Sequence, residues 1–66
     1  MIYEHETNYY AEWFDSENMP REQFLGKNIP EVMTEAHKIN QEHDCNLFII
    51  EEKIERRVFM QVRKRG

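Results

Sequence analysis

The pattern of apolar and polar positions marks three or four strands and one helix. Residues 8–14, NYYAEWF, carry four aromatics in seven positions and favour a strand. Alternation places Tyr9, Ala11 and Trp13 on one face and Tyr10, Glu12 and Phe14 on the other. Residues 2–7 carry the alternation further back, so the strand begins at Ile2 or Tyr9 and ends at Phe14. Residues 15–20, DSENMP, are turn chemistry.

Residues 20–26, PREQFLG, read two ways. Pro20 at a first position and Gly26 just past an end suit a helical turn. A strand over REQFL, pairing back on NYYAEWF as a hairpin, suits the turn-rich link. The strand is the preferred reading, because it delivers the chain directly to the next helix start.

That helix is the clearest element. Asn28 is a candidate N-cap, Pro30 sits in the first turn, and Glu31 lies where a capping box places its acid. Glu31 and Glu35 favour the positive end of the helix dipole. Ile29, Val32, Met33, Ala36 and Ile39 form one apolar stripe, and Lys38 is placed to pair with Glu42 on the other side. The helix is expected to end near His43, with Asp44 and Asn46 in the connection.

Residues 47–50, LFII, are apolar without alternation, as in a strand buried on both faces or at the centre of a sheet. Residues 58–62, VFMQV, alternate again. EEKIERR between them has no residue favoured in a tight primed turn. A wider hairpin loop around residues 53–54 or 55–56 is expected, with Glu51 and Glu52 facing Arg56 and Arg57.

The order is β, a short β or turn, α, β, β. It predicts a small two-layer α+β domain, one helix packed on a three- or four-stranded antiparallel sheet. The predicted core is Tyr9, Ala11, Trp13, Phe24, Val32, Met33, Ala36, Ile39, Leu47, Ile49, Val58, Met60 and Val62. The open face would show Tyr10, Phe14, Phe48, Ile50 and Phe59, more apolar surface than a small monomer usually exposes. Self-association, including a homodimer, or a partner surface is therefore expected.

Length and composition agree with one small domain. The chain has 66 residues, 39% of them apolar, and Cys45 is the single cysteine. A domain of this size buries only about 60% of its unfolded surface. No apolar run is long enough to span a membrane, and the N-terminus lacks the basic-then-apolar order of a signal peptide. With the lone cysteine, this predicts a cytoplasmic protein.

Charge is divided along the chain. Residues 1–50 hold three bases against ten acids, a net −7; residues 51–66 hold six bases against three acids, a net +3. The total is −4.

Candidate chemistry is sparse. His5, His37, His43 and Cys45 do not match metal-site spacing. Ser16 is the only serine and lacks a nucleophile-elbow context, and two glycines exclude a P-loop or dinucleotide fingerprint. No cofactor and no catalytic residue is assigned, and a chain this short cannot easily wall a desolvated cleft around a carboxylate pair. The expectation is a non-enzymatic protein.

Two binding surfaces remain. One is protein-binding: Glu12, Asp15, Glu17, Glu22, Glu31 and Glu35 would meet a basic surface, with Tyr10, Phe14 and Phe59 as desolvated anchors. The other is nucleic-acid-binding, with Arg57, Arg63, Lys64 and Arg65 on phosphates and Phe59 under a base. The net negative charge favours the first. In size, acidity and β/α layout the chain resembles the small host-takeover and inhibitor proteins encoded by bacteriophages. That resemblance is one of type, carried by no motif, and transfers no functional residue. It implies a small acidic inhibitor or modulator of a nucleic-acid-handling host enzyme.

Overall fold

A computed structural model describes residues 6–64. The extension of the first strand into residues 2–5 lies outside the described residues. The elements are β1 (Asn8–Phe14), β2 (Pro20–Gly26), α1 (Ile29–His43), β3 (Leu47–Glu52) and β4 (Arg56–Val62). The strands form one four-stranded antiparallel sheet in the order β2-β1-β3-β4, with α1 packed on one face. This is the expected small α+β domain, and residues 20–26 are a strand.

Each connection has a local cause. Between β1 and β2, Asp15 Oδ1 accepts the backbone N–H groups of Glu17 and Met19, both at 2.9 Å, while Asn18 takes the left-handed conformation at φ 62°. At the helix start, the Asn28 side chain accepts the Glu31 backbone N–H at 3.1 Å. At its end, Asp44 adopts φ 47° and its N–H closes on the Asn40 carbonyl at 2.9 Å. Residues 53–55 turn β3 into β4, leaving Glu51 opposite Arg57 and Glu52 opposite Arg56.

The core lies between α1 and the sheet. It comprises Tyr9, Ala11, Trp13, Leu25, Val32, Ala36, Ile39, Leu47 and Ile49, with Cys45, Met60 and Val62 packed against it. Leu47, Ile49 and Val32 are its largest fully buried side chains. The unalternating LFII run belongs to β3, an interior strand, where Ile49 faces the helix and Ile50 is buried on the opposite face.

Two bulges correct the expected facing. In β2 the register shifts so that Tyr9 faces Gly26 and Tyr10 faces Phe24, leaving Leu25 as the extra residue. Leu25 therefore enters the core, and Phe24 lies on the outer face. In β4, Ile49 faces Met60 and Ile50 faces Val58, leaving Phe59 as the extra residue. Phe59 turns to the helix side, where its ring meets Tyr9 edge-on at 5.4 Å, and Val58 moves to the outer face. Phe59 is thus not part of the open face, and Phe24 and Val58 are not core residues. Met33 is half-buried and Ile29 exposed, because the helix lies on the sheet mainly through Val32, Ala36 and Ile39. Lys38 pairs with Glu35 at 3.3 Å rather than with Glu42.

No helix among the described residues is long and apolar enough to cross a membrane.

Candidate functional site

The outer face of the sheet, opposite α1, is where apolar side chains and carboxylates meet. Cross-strand pairing sets its rows. Phe24, Tyr10, Ile50 and Val58 form one row, and Glu22, Glu12, Phe48 and Gln61 the next. Phe14 and Pro20 close the hairpin end. Phe14 is 58% exposed, Phe24 50%, Phe48 38% and Val58 60%. Tyr10 and Phe24 pack edge to face at 5.5 Å, giving the row a rigid aromatic patch.

Arg56 organises the charges on this face. Its Nη2 donates to Glu22 Oε2 at 3.0 Å and lies 4.0 Å from Glu12 Oε2, while Nε lies 3.4 Å from Glu52 Oε2. The guanidinium sits 4.9 Å from the centre of the Tyr10 ring. Hydrogen bonding to Glu22 and attraction from the three carboxylates hold its pKa above the usual arginine value. One cation thus serves three acids, and the cluster keeps a net charge of −2.

A groove of about 260 Å³ opens at the hairpin end of this face. Glu12, Trp13, Phe14, Pro20, Arg21, Glu22 and Phe48 line it. Arg21 is already engaged, since its Nε donates to Asp15 Oδ2 at 2.7 Å.

The structure divides the acids expected to act together. Glu12 and Glu22 share the outer face with Tyr10 and Phe14. Asp15 is committed to its own turn: the Met19 N–H, together with Arg21 and the Glu17 N–H, holds its carboxyl below the usual carboxylate range against a smaller opposing effect of burial. Glu17 is exposed at the hairpin tip. Glu31 and Glu35 belong to α1, in the other layer, where Glu31 lies over Gly26 and Glu35 pairs with Lys38.

The basic residues are divided too. Arg57 donates through Nε at 3.1 Å and Nη2 at 2.8 Å to Glu51 Oε1, and Tyr9 donates to the other Glu51 oxygen at 3.1 Å. The Arg57 bond, aided by Tyr9 and opposed by burial, keeps the Glu51 carboxyl below its ordinary range. Burial, followed by the bond to Glu51, pushes Tyr9 up. The side chains of Arg63 and Lys64 are exposed beyond β4, and Arg65 lies outside the described residues. Phe59, expected to stack on a base, packs against Tyr9.

Phe24, Val58 and Arg56 belong to the outer face and were missed by alternation. The first two are placed by bulges. Arg56 faces Glu52 as the hairpin predicted, but it also reaches Glu12 and Glu22 across the sheet, which no local spacing announces.

Other chemistry has little material here. No group of three or more His, Cys, Asp or Glu side chains forms a candidate metal set among the described residues. Burial, and then the Asp44 charge, push the Cys45 thiol up, away from the thiolate form a nucleophile needs. No protein-family model, curated protein or solved structure matches this chain, so its own residues carry the functional reading.

Proposed function

We propose that this protein is a non-enzymatic protein-binding module that docks through the outer face of its sheet. The observation that supports it is the concentration of Phe14, Phe24, Phe48 and Val58, all exposed, on one face around Glu12 and Glu22. Aromatic anchors within a polar rim are the composition of an interface centre. The carboxylates give the face a preference for a basic partner and a means of steering its approach. In its most specific form the partner is an enzyme with a basic nucleic-acid-binding surface, and this chain is its inhibitor or modulator.

Direct nucleic-acid binding through β4 has weaker support. Arg57 is bonded to Glu51 and the Phe59 ring is packed on Tyr9, so of the candidate residues described, Arg63 and Lys64 are left for phosphates.

The test is affinity capture at low salt with the wild-type chain, Phe14→Ser/Phe48→Ser, and Arg63→Ala/Lys64→Ala. Docking through the outer face predicts a stoichiometric protein partner that the first variant loses and the second retains. Equal capture by the wild type and Phe14→Ser/Phe48→Ser removes the reading. A gel shift with RNA or DNA that Arg63→Ala/Lys64→Ala abolishes would put the nucleic-acid reading in its place.

A further inference from the structure

Resting on the outer-face docking just proposed, we infer that the groove at the hairpin end is a socket for one cationic side chain, arginine or lysine, of the protein partner. Its volume of about 260 Å³ is below the range of small-molecule pockets and suits a single long side chain. Phe14, Pro20 and Phe48 offer apolar walls for a methylene stem, and Glu12 and Glu22 offer carboxylates for its charged head.

Charge selects the occupant. Glu12 and Glu22 are direct cross-strand partners on the same face, an arrangement of like charges that opposes strand pairing. Arg56 relieves it only in part, because the same guanidinium also serves Glu52 and stands 4.0 Å from Glu12. Arg21, the one cation that lines the groove, is bound to Asp15. A second cation therefore finds two incompletely neutralised carboxylates, each nearly half exposed, among the apolar walls of the groove. A second copy of the chain docked face to face fits less well, since it would bring two faces of the same net charge together.

The test is an NMR titration of the isotopically labelled full chain at low salt with three capped pentapeptides. They carry arginine, citrulline (its neutral isostere) or norleucine at the centre and alanine elsewhere. The arginine peptide is expected to shift the amide resonances of Glu12, Phe14, Glu22 and Phe48. The citrulline peptide should bind about fivefold or more weakly, the scale of two partly exposed ion pairs. Glu12→Gln/Glu22→Gln should lose the same factor for the arginine peptide. Glu35→Gln/Glu42→Gln, which removes as much charge from the helix, should lose much less. Unchanged resonances of the core amides show that the variants remain folded.

Equal affinity for the arginine and norleucine peptides in the groove overturns the cation assignment and leaves outer-face docking standing. Shifts confined to another surface, or no shifts with any peptide, overturn the socket itself. Docking as such is decided separately, by partner capture with Phe14→Ser/Phe48→Ser.

Discussion

Arg56 on β4 donates to Glu22 on β2 at 3.0 Å, linking the two edge strands of the sheet across β3 and β1. In a flat sheet three strand spacings separate the two edge backbones by about 14 Å, so the two long side chains must reach toward each other over the outer face. The contact predicts coupling between the edges. Arg56→Ala should lower the melting temperature more at low salt than at high salt, because three carboxylates then face one another unscreened. In a double-mutant cycle with Glu22→Gln the two losses should be non-additive. Additive losses with no salt dependence would show that the contact does not tie the edges together.

Gly26 has φ +142°, and a Cβ there would run into the Glu31 carboxylate. Gly26→Ala is expected to cost about 1–3 kcal/mol through backbone strain and crowding. Adding Glu31→Ala should recover only the part due to crowding. Urea unfolding of the single and double variants checks this; full recovery would mean that the backbone at this position is unstrained.

Asn40 is buried, and its Nδ2 donates to the Cys45 carbonyl at 2.9 Å and the Arg63 carbonyl at 3.1 Å. It thereby fastens the entry to β3 and the exit from β4 to the helix. Asn40→Ala gains helix propensity, up to about 0.7 kcal/mol. Losing the donor to both carbonyls costs about 1–3 kcal/mol, so a net loss is expected in the urea midpoint. That is a large share of a domain whose core supplies only about 3–5 kcal/mol. Asn40→Asp should be worse, since it sets a carboxylate against two carbonyl oxygens. A stabilised Asn40→Ala would contradict the role assigned here.

The Glu51 carboxyl is held below its ordinary range chiefly by the bond from Arg57, and Asp15 chiefly by the Met19 N–H. A carboxylate with a depressed folded pKa contributes stability that is fully present above the unfolded value, about 4. The contribution is lost as pH falls through the lower folded value. Melting temperature should therefore fall steeply below about pH 4. Glu51→Gln should be less stable than wild type at neutral pH, with the gap closing in acid. Parallel wild-type and Glu51→Gln profiles would show that this carboxylate does not drive the acid transition.

Most of the secondary structure was legible from residue pattern. Asn28, Pro30 and the 3,4-spaced apolar stripe marked α1, because capping and amphipathicity act within one turn. NYYAEWF marked β1, and LFII identified an interior strand by its lack of alternation. Pro20 and Gly26 looked equally like helix punctuation, yet pairing with β1 decided for a strand. Period two failed at Leu25 and Phe59, since one extra residue reverses the facing beyond it.

The candidate site was only half legible. Tyr10, Glu12 and Phe14 could be put on one face because they alternate within a single strand. Glu31 and Glu35 were already assigned to the helix, yet they were grouped with Glu12 and Glu22 because net charge ignores which layer carries it. What the sequence by itself determined is local: the element types outside residues 20–26, the turn and cap residues, the acidic body and the basic end. Tertiary structure alone decided that Phe24 and Val58 join the outer face while Phe59 leaves, and that Arg56 also reaches Glu12 and Glu22. The physical reason is that capping and periodicity act over a few residues, whereas bulge positions and cross-sheet ion pairs depend on strands distant in the chain.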